Sequence, residues 1–227
     1  TKAHIDNITL DSDVKVGFNA QAYIVALLPE HKLDESAREL NERLDEHGSE
    51  FIFNDKVVPH MSLYMLQIHS QHLDEIVIEL SGIAKRYDGI DLSFLGWRIR
   101  NRYLAAMFAR TREVTRLQRE VVDRLNPLRA ETHPDSFIGV KSATVIEQRN
   151  VEQYGWKSIG DAYDPHMTVA RFIEEDSSVS CSDSYGKGFD GSFNRIALFE
   201  MGSSGTTSSQ VANFALKPLR EMPGAVE

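Results

Sequence analysis

Apolar positions along the chain change rhythm several times, and each change predicts an element. Ala22-Tyr23-Ile24-Val25-Ala26-Leu27-Leu28 is a continuous apolar run of strand length. Leu33, Ala37, Leu40 and Leu44 then recur at helical spacing, as do Leu73, Ile76, Val77, Leu80, Ile83 and Ala84. A third stripe, Val114, Leu117, Val121, Leu125 and Leu128, ends near Asn126-Pro127. These stripes are read as core faces packed on a sheet rather than as partner-binding surfaces. Leu92-Ser93-Phe94-Leu95-Gly96-Trp97 and Tyr103-Leu104-Ala105-Ala106-Met107-Phe108 read as strands flanking Arg100-Asn101-Arg102, and 193–200 with 211–216 as a closing strand pair. Helices mixed with hairpin-like strand pairs predict an α+β fold rather than a strictly parallel one.

Two of the remaining strand-like runs begin alike. Pro59-His60-Met61-Ser62 leads into Leu63-Tyr64-Met65-Leu66, and Pro165-His166-Met167-Thr168 leads into Val169-Ala170-Arg171-Phe172. Residues i and i+2 of a strand share a face. His60 and Ser62 therefore pair on one face, and His166 and Thr168 on another. The same parity adds Tyr64 and Phe172 as candidate substrate contacts, with core filling the alternative for Phe172, while Met61, Leu63, Met65, Met167 and Val169 turn to the core and Arg171 falls on the core side. Strand-entry punctuation would account for each Pro. It explains neither the imidazole nor the hydroxyl, nor their repetition in both halves. Facing each other across a cleft, the two units would place an acid, a base and two hydroxyl donors around one phosphate.

Composition narrows the partners. A net charge of −9 and a pI near 5.4 leave little basic field for coating duplex nucleic acid, whereas a small nucleotide or a short RNA end can be gripped locally. The chain opens without an apolar signal region and no run approaches membrane-spanning length. One cysteine, Cys181, rules out an internal disulfide framework and a multi-cysteine metal site. Together these predict a cytoplasmic protein, with Cys181 a surface thiol in a Ser/Asp/Gly-rich loop. At 227 residues a single bilobal domain over 1–227 is expected, with an N-terminal tail 1–19 and variable loops 129–164 and 174–192. Tyr154-Gly155-Trp156 lies in the first loop and could cover part of a cleft.

Arg98, Arg100 and Arg102 alternate and could grip phosphate or stand as solvated edge charges. His69 and His72 lack the spacing and carboxylate partners of a metal site, and His133 before Pro134 suits a turn. No metal ligands and no cofactor are assigned.

The repeated His-x-Ser/Thr motif and the order of elements over most of 20–216 resemble the two-histidine (2H) phosphoesterase superfamily, which includes 2′–5′ RNA ligase-like proteins and cyclic nucleotide phosphodiesterases. The resemblance implies two pseudo-symmetric lobes of antiparallel-rich sheet, with outer helices, around a central cleft. It implies catalysis by His60 and His166, with phosphate held by Ser62 and Thr168; Tyr64, Arg100 and Phe172 join them as possible substrate contacts from strand parity and charge alone. The expected reaction is metal-independent attack on a 2′,3′-cyclic phosphate or 2′–5′ linked nucleotide or RNA end. A nucleotide-binding module without turnover is the alternative. No Gly-x-x-x-x-Gly-Lys motif is present to drive ATP-dependent ligation.

Overall fold

Strand pairing sorts the chain into two antiparallel sheets, seen in a computed structural model that describes residues 19–132, 143–173 and 189–219. In the first sheet β1 (Ala20–Pro29) lies between β2 (Met61–His69) and β7 (Gly191–Met201). β3 (Ile90–Leu92) and β8 (Thr207–Ala215) follow one another along the other edge of β7. The second sheet runs β4 (Phe94–Arg100), β5 (Tyr103–Phe108), β6 (His166–Arg171). The two histidine strands, β2 and β6, are thus edge strands of different sheets, and they pack against one another.

β1 is a continuous apolar run because both of its faces are covered. Val25 and Leu27 enter the main core, while Ile24 and Ala26 join Ala197 and Phe199 in a smaller cluster backed by Val58 and Met65. Helices α1 (His31–Asp45), α2 (Leu73–Ala84) and α3 (Arg112–Leu125) bury the three apolar stripes. Their packing is crossed: α1 lies against β6 and α3 against β2, while α2 covers β7 and β8. One main core contains residues of both sheets.

The β4–β5 hairpin turns through Asn101 (φ 50°) and Arg102 (φ 70°), both left-handed, which suits a tight two-residue connection. A helix absent from the sequence reading, α4 (Val145–Tyr154), occupies part of 129–164. Its side chains give no apolar period, since Val145 and Ile146 are exposed. Its cue is instead a capping box: the Thr144 hydroxyl accepts from Glu147 N, and the Glu147 carboxylate accepts from Thr144 N. His133, Cys181 and the run Glu174-Glu175-Asp176 lie outside the described residues, as do 1–18.

The strict alternation expected for both histidine strands is overturned. Val25 pairs with Tyr64 and Ala26 with Ser62, so Leu63 is an extra residue in β2. Leu104 pairs with Ala170 and Ala105 with Thr168, so Val169 is the matching extra residue in β6. Each bulge follows its motif hydroxyl directly. Beyond it, the faces exchange.

Candidate active site

His60 stands immediately before β2 and His166 opens β6. The His60 Nδ1 lies 3.0 Å from Val58 O and the His166 Nδ1 lies 2.7 Å from Asp164 O, in each case the carbonyl two residues upstream. A carbonyl only accepts, so Nδ1 carries the proton and donates. In the neutral ring Nε2 is left without a proton, in the same tautomer on both sides. Both imidazoles titrate below the ordinary histidine range, chiefly because burial disfavours the cation. The backbone bonds oppose this shift. At His60 the charge of His166 adds to the lowering; at His166 Arg98 and Lys157 add to it while Asp164 opposes it.

His60, Ser62, His166 and Thr168 line one cavity of about 280 Å³ between the sheets. Arg98 and Arg100 enter it from β4, and Lys157 and Ser158 from the segment after α4. Gly155 (φ 74°) caps α4 in the left-handed region, which favours glycine, and turns the chain so that Trp156 reaches the cavity. Phe51, Phe53, Tyr103 and Trp156 supply an aromatic wall, and Ser204-Gly205-Thr206 closes one side from the β7–β8 turn. Arg98 is paired with the Asp164 carboxylate, whose backbone carbonyl holds His166. Arg100 lines the cavity with no ion pair among those of the described residues.

Two substrate-contact expectations are corrected. Tyr64 is fully buried (0% exposed), its hydroxyl donating to Tyr154 O at 2.6 Å, with Trp156 beside its ring. Phe172 is buried at 1% in the core. The bulges at Leu63 and Val169 turned both inward, and by the same shift Met65, read as a core residue, lines the cavity. Arg171 lies over the Tyr103 ring and binds the Glu50 carboxylate and the Ser204 hydroxyl (2.5 Å). Arg102 does not join Arg98 and Arg100: its left-handed turn carries it to Glu50 and to Ile173 O at 2.8 Å. His72 pairs with Glu75, and no group of three or more His, Cys, Asp or Glu that could hold a metal occurs among the described residues.

Phe51, Phe53, Lys157 and Ser158 went unnoticed in the sequence because they lie in connections without a period. Only Trp156 carried a signal there, as a large aromatic in a polar stretch.

The family model described as the 2′-5′ RNA ligase superfamily matches residues 29–200. No curated protein sequence matches the chain. Among solved structures, E. coli LigT complexed with phosphate is similar at 13% identity and a TM-score of 0.54, covering 87% of this chain and 98% of LigT. LigT complexed with 3′-AMP gives 13% identity and a TM-score of 0.52, with 88% and 99% covered. TT0787 of Thermus thermophilus gives 17% identity and a TM-score of 0.54, with 88% and 100% covered. At such identities these likenesses show a shared fold. No helix among the described residues is long and apolar enough to cross a membrane.

Proposed function

Because the chain belongs to the 2′–5′ RNA ligase superfamily, we propose that it is a phosphoesterase acting on a 2′,3′-cyclic phosphate or a 2′–5′ linkage at a nucleotide or RNA end. The observation that carries this reading is the matched pair of imidazoles. Each lines the same cavity beside a hydroxyl, and each has Nδ1 fixed on a backbone carbonyl so that Nε2 does the proton transfer. That LigT is found complexed with phosphate, 3′-AMP, ATP and NADP+ supports a nucleotide-sized ligand.

In hydrolysis of a cyclic phosphate, one neutral imidazole takes a proton from water at Nε2 as the water oxygen attacks phosphorus in line. The bond from phosphorus to the departing ribose oxygen breaks. The other imidazole, protonated, gives its Nε2 proton to that oxygen, and the two rings restore their protonation through solvent. Each transfer needs a heavy-atom separation of about 2.6–3.2 Å in the complex. Ser62 and Thr168 donate to the non-bridging oxygens, where negative charge grows. Arg100 attracts the phosphate, and Phe51, Phe53, Tyr103 or Trp156 stacks on the base. Nothing in this scheme routes a step through a metal.

The test is turnover of the four 2′,3′-cyclic nucleoside monophosphates, and of a short RNA ending in a cyclic phosphate, in excess EDTA. Wild type is compared with His166→Ala. Turnover that survives chelation and is lost in the variant is expected. Nucleotide binding without turnover would point to a binding module, and loss on chelation to a metal in the chemistry.

A further inference from the structure

Two buried side-chain amides repeat one hydrogen-bonding pattern around the two histidine strands. Asn41 of α1 is 0% exposed and Gln118 of α3 is 1% exposed. The Asn41 Nδ2 donates to Phe51 O (3.1 Å) and to Val169 O (2.8 Å), and its Oδ1 accepts from Phe53 N (2.8 Å). The Gln118 Nε2 donates to Ser158 O (2.7 Å) and to Leu63 O (3.3 Å), and its Oε1 accepts from Gly160 N (3.4 Å). Each amide therefore clamps a carbonyl and the N–H two residues later in a connecting segment, plus one carbonyl in a histidine strand. That last carbonyl belongs in each case to the bulge residue, Val169 or Leu63.

The chemistry of this arrangement is restrictive. A bulge at a sheet edge leaves a backbone group outside the ladder, and once buried it needs a partner. A side-chain amide is the neutral group that offers two donors and an acceptor at once; a carboxylate only accepts, and an ammonium or guanidinium only donates. The clamps are also crossed. Asn41 belongs to the helix between β1 and β2 yet holds β6; Gln118 belongs to the helix between β5 and β6 yet holds β2. Of the four other ends of the clamps, Phe51, Phe53 and Ser158 line the cavity, and Gly160 does not.

We propose that Asn41 and Gln118 are a duplicated pair of positioning residues: Asn41 sets the bulge that aims His166 and Thr168, and Gln118 sets the bulge that aims His60 and Ser62. The catalytic part of this inference rests on the function proposed above; the placement of each ring does not. Removing the polar atoms while keeping shape, Asn41→Leu or Gln118→Met, loosens one histidine strand and not the other.

The experiment follows the imidazole nitrogens of both rings by NMR through a pH titration, with each ring assigned by its His→Ala variant. Asn41→Leu is expected to move the His166 signals and titration midpoint more than those of His60, which follow only through the charge coupling of the two rings. Gln118→Met is expected to do the reverse. In steady-state assays on a 2′,3′-cyclic nucleoside monophosphate each variant should lower kcat by about 10–100-fold. A purely structural amide would move neither ring or both alike, and either result overturns the proposal, as does a larger movement of the ring on the uncrossed side. Should a variant not fold, the wild type still decides. The side-chain amide protons of Asn41 and Gln118 should exchange at least about tenfold more slowly than those of exposed Asn54; equal rates would overturn the clamp. If wild type turns over no substrate, the ring titrations still test positioning, so the two readings fail separately.

Discussion

At the His60 ring, the side-chain charge that lowers the pKa is that of His166; at the His166 ring, Arg98, Asp164 and Lys157 all act. The backbone around the two rings is nevertheless the same in kind. Each has a proline before it, a carbonyl under Nδ1, a hydroxyl two residues on, a bulge after that, and a buried amide reaching across from the other side. Geometry has been duplicated and electrostatics has not. An acid–base pair needs just this combination, because the two rings must reach one phosphate alike yet hold different protonation states.

The largest effects should come from breaking either half. His60→Ala and His166→Ala are each expected to lower kcat/KM by on the order of 10²–10⁴-fold, measured on a cyclic nucleotide, while leaving the fold intact. A near-normal rate in one of them would reduce the pair to a single catalytic histidine. Ser62→Ala and Thr168→Ala should cost kcat on the order of 10²–10³-fold each if both donate to the phosphoryl oxygens. Unequal losses would show which side carries more of the developing charge. Arg100→Ala sharpens the asymmetry: KM should rise by about tenfold and lose part of its salt dependence, with kcat little changed. No such change would place the phosphate away from the β4 side.

The pH dependence is a subtler test. Both rings titrate below the ordinary histidine value of about 6.5, so the bell of kcat/KM should be centred below it. The same shifts have a stability sign. The folded chain binds fewer protons at these rings than the unfolded chain, so their contribution is complete above the unfolded value and is lost as pH falls through the folded one. Urea titrations of wild type and of the His60→Ala/His166→Ala double variant should therefore diverge with acidification, wild type losing stability faster. Parallel curves would mean that the rings are not held neutral by burial.

Much of the fold was legible because it rests on local rhythm. The three apolar stripes became α1 to α3, and the paired motifs led to the two strands that line the cavity. What was not legible rests on contacts distant in the chain. No local feature of Leu63-Tyr64 or Val169-Ala170 announces a bulge, since it is fixed by an amide on a helix far away in sequence. Those bulges turn Tyr64 and Phe172 inward, against the parity that would have put them in the cavity. The amides themselves did leave a trace. Asn41 follows Leu40 and Gln118 follows Leu117, each four residues after an apolar stripe position, Ala37 or Val114, so a polar residue interrupts a core face at matching places. α4 has no apolar period to announce it, because its start is written in a capping box.

The measurement that bears most directly on the central claim is a double-mutant cycle on kcat/KM with His60→Ala, His166→Ala and the double variant. Groups that act as one unit are strongly non-additive. The account predicts that the double variant is no slower than either single variant by more than a few fold. Losses that multiply, so that the double variant falls by the product of the two, would mean that the histidines act independently and would contradict a paired acid and base.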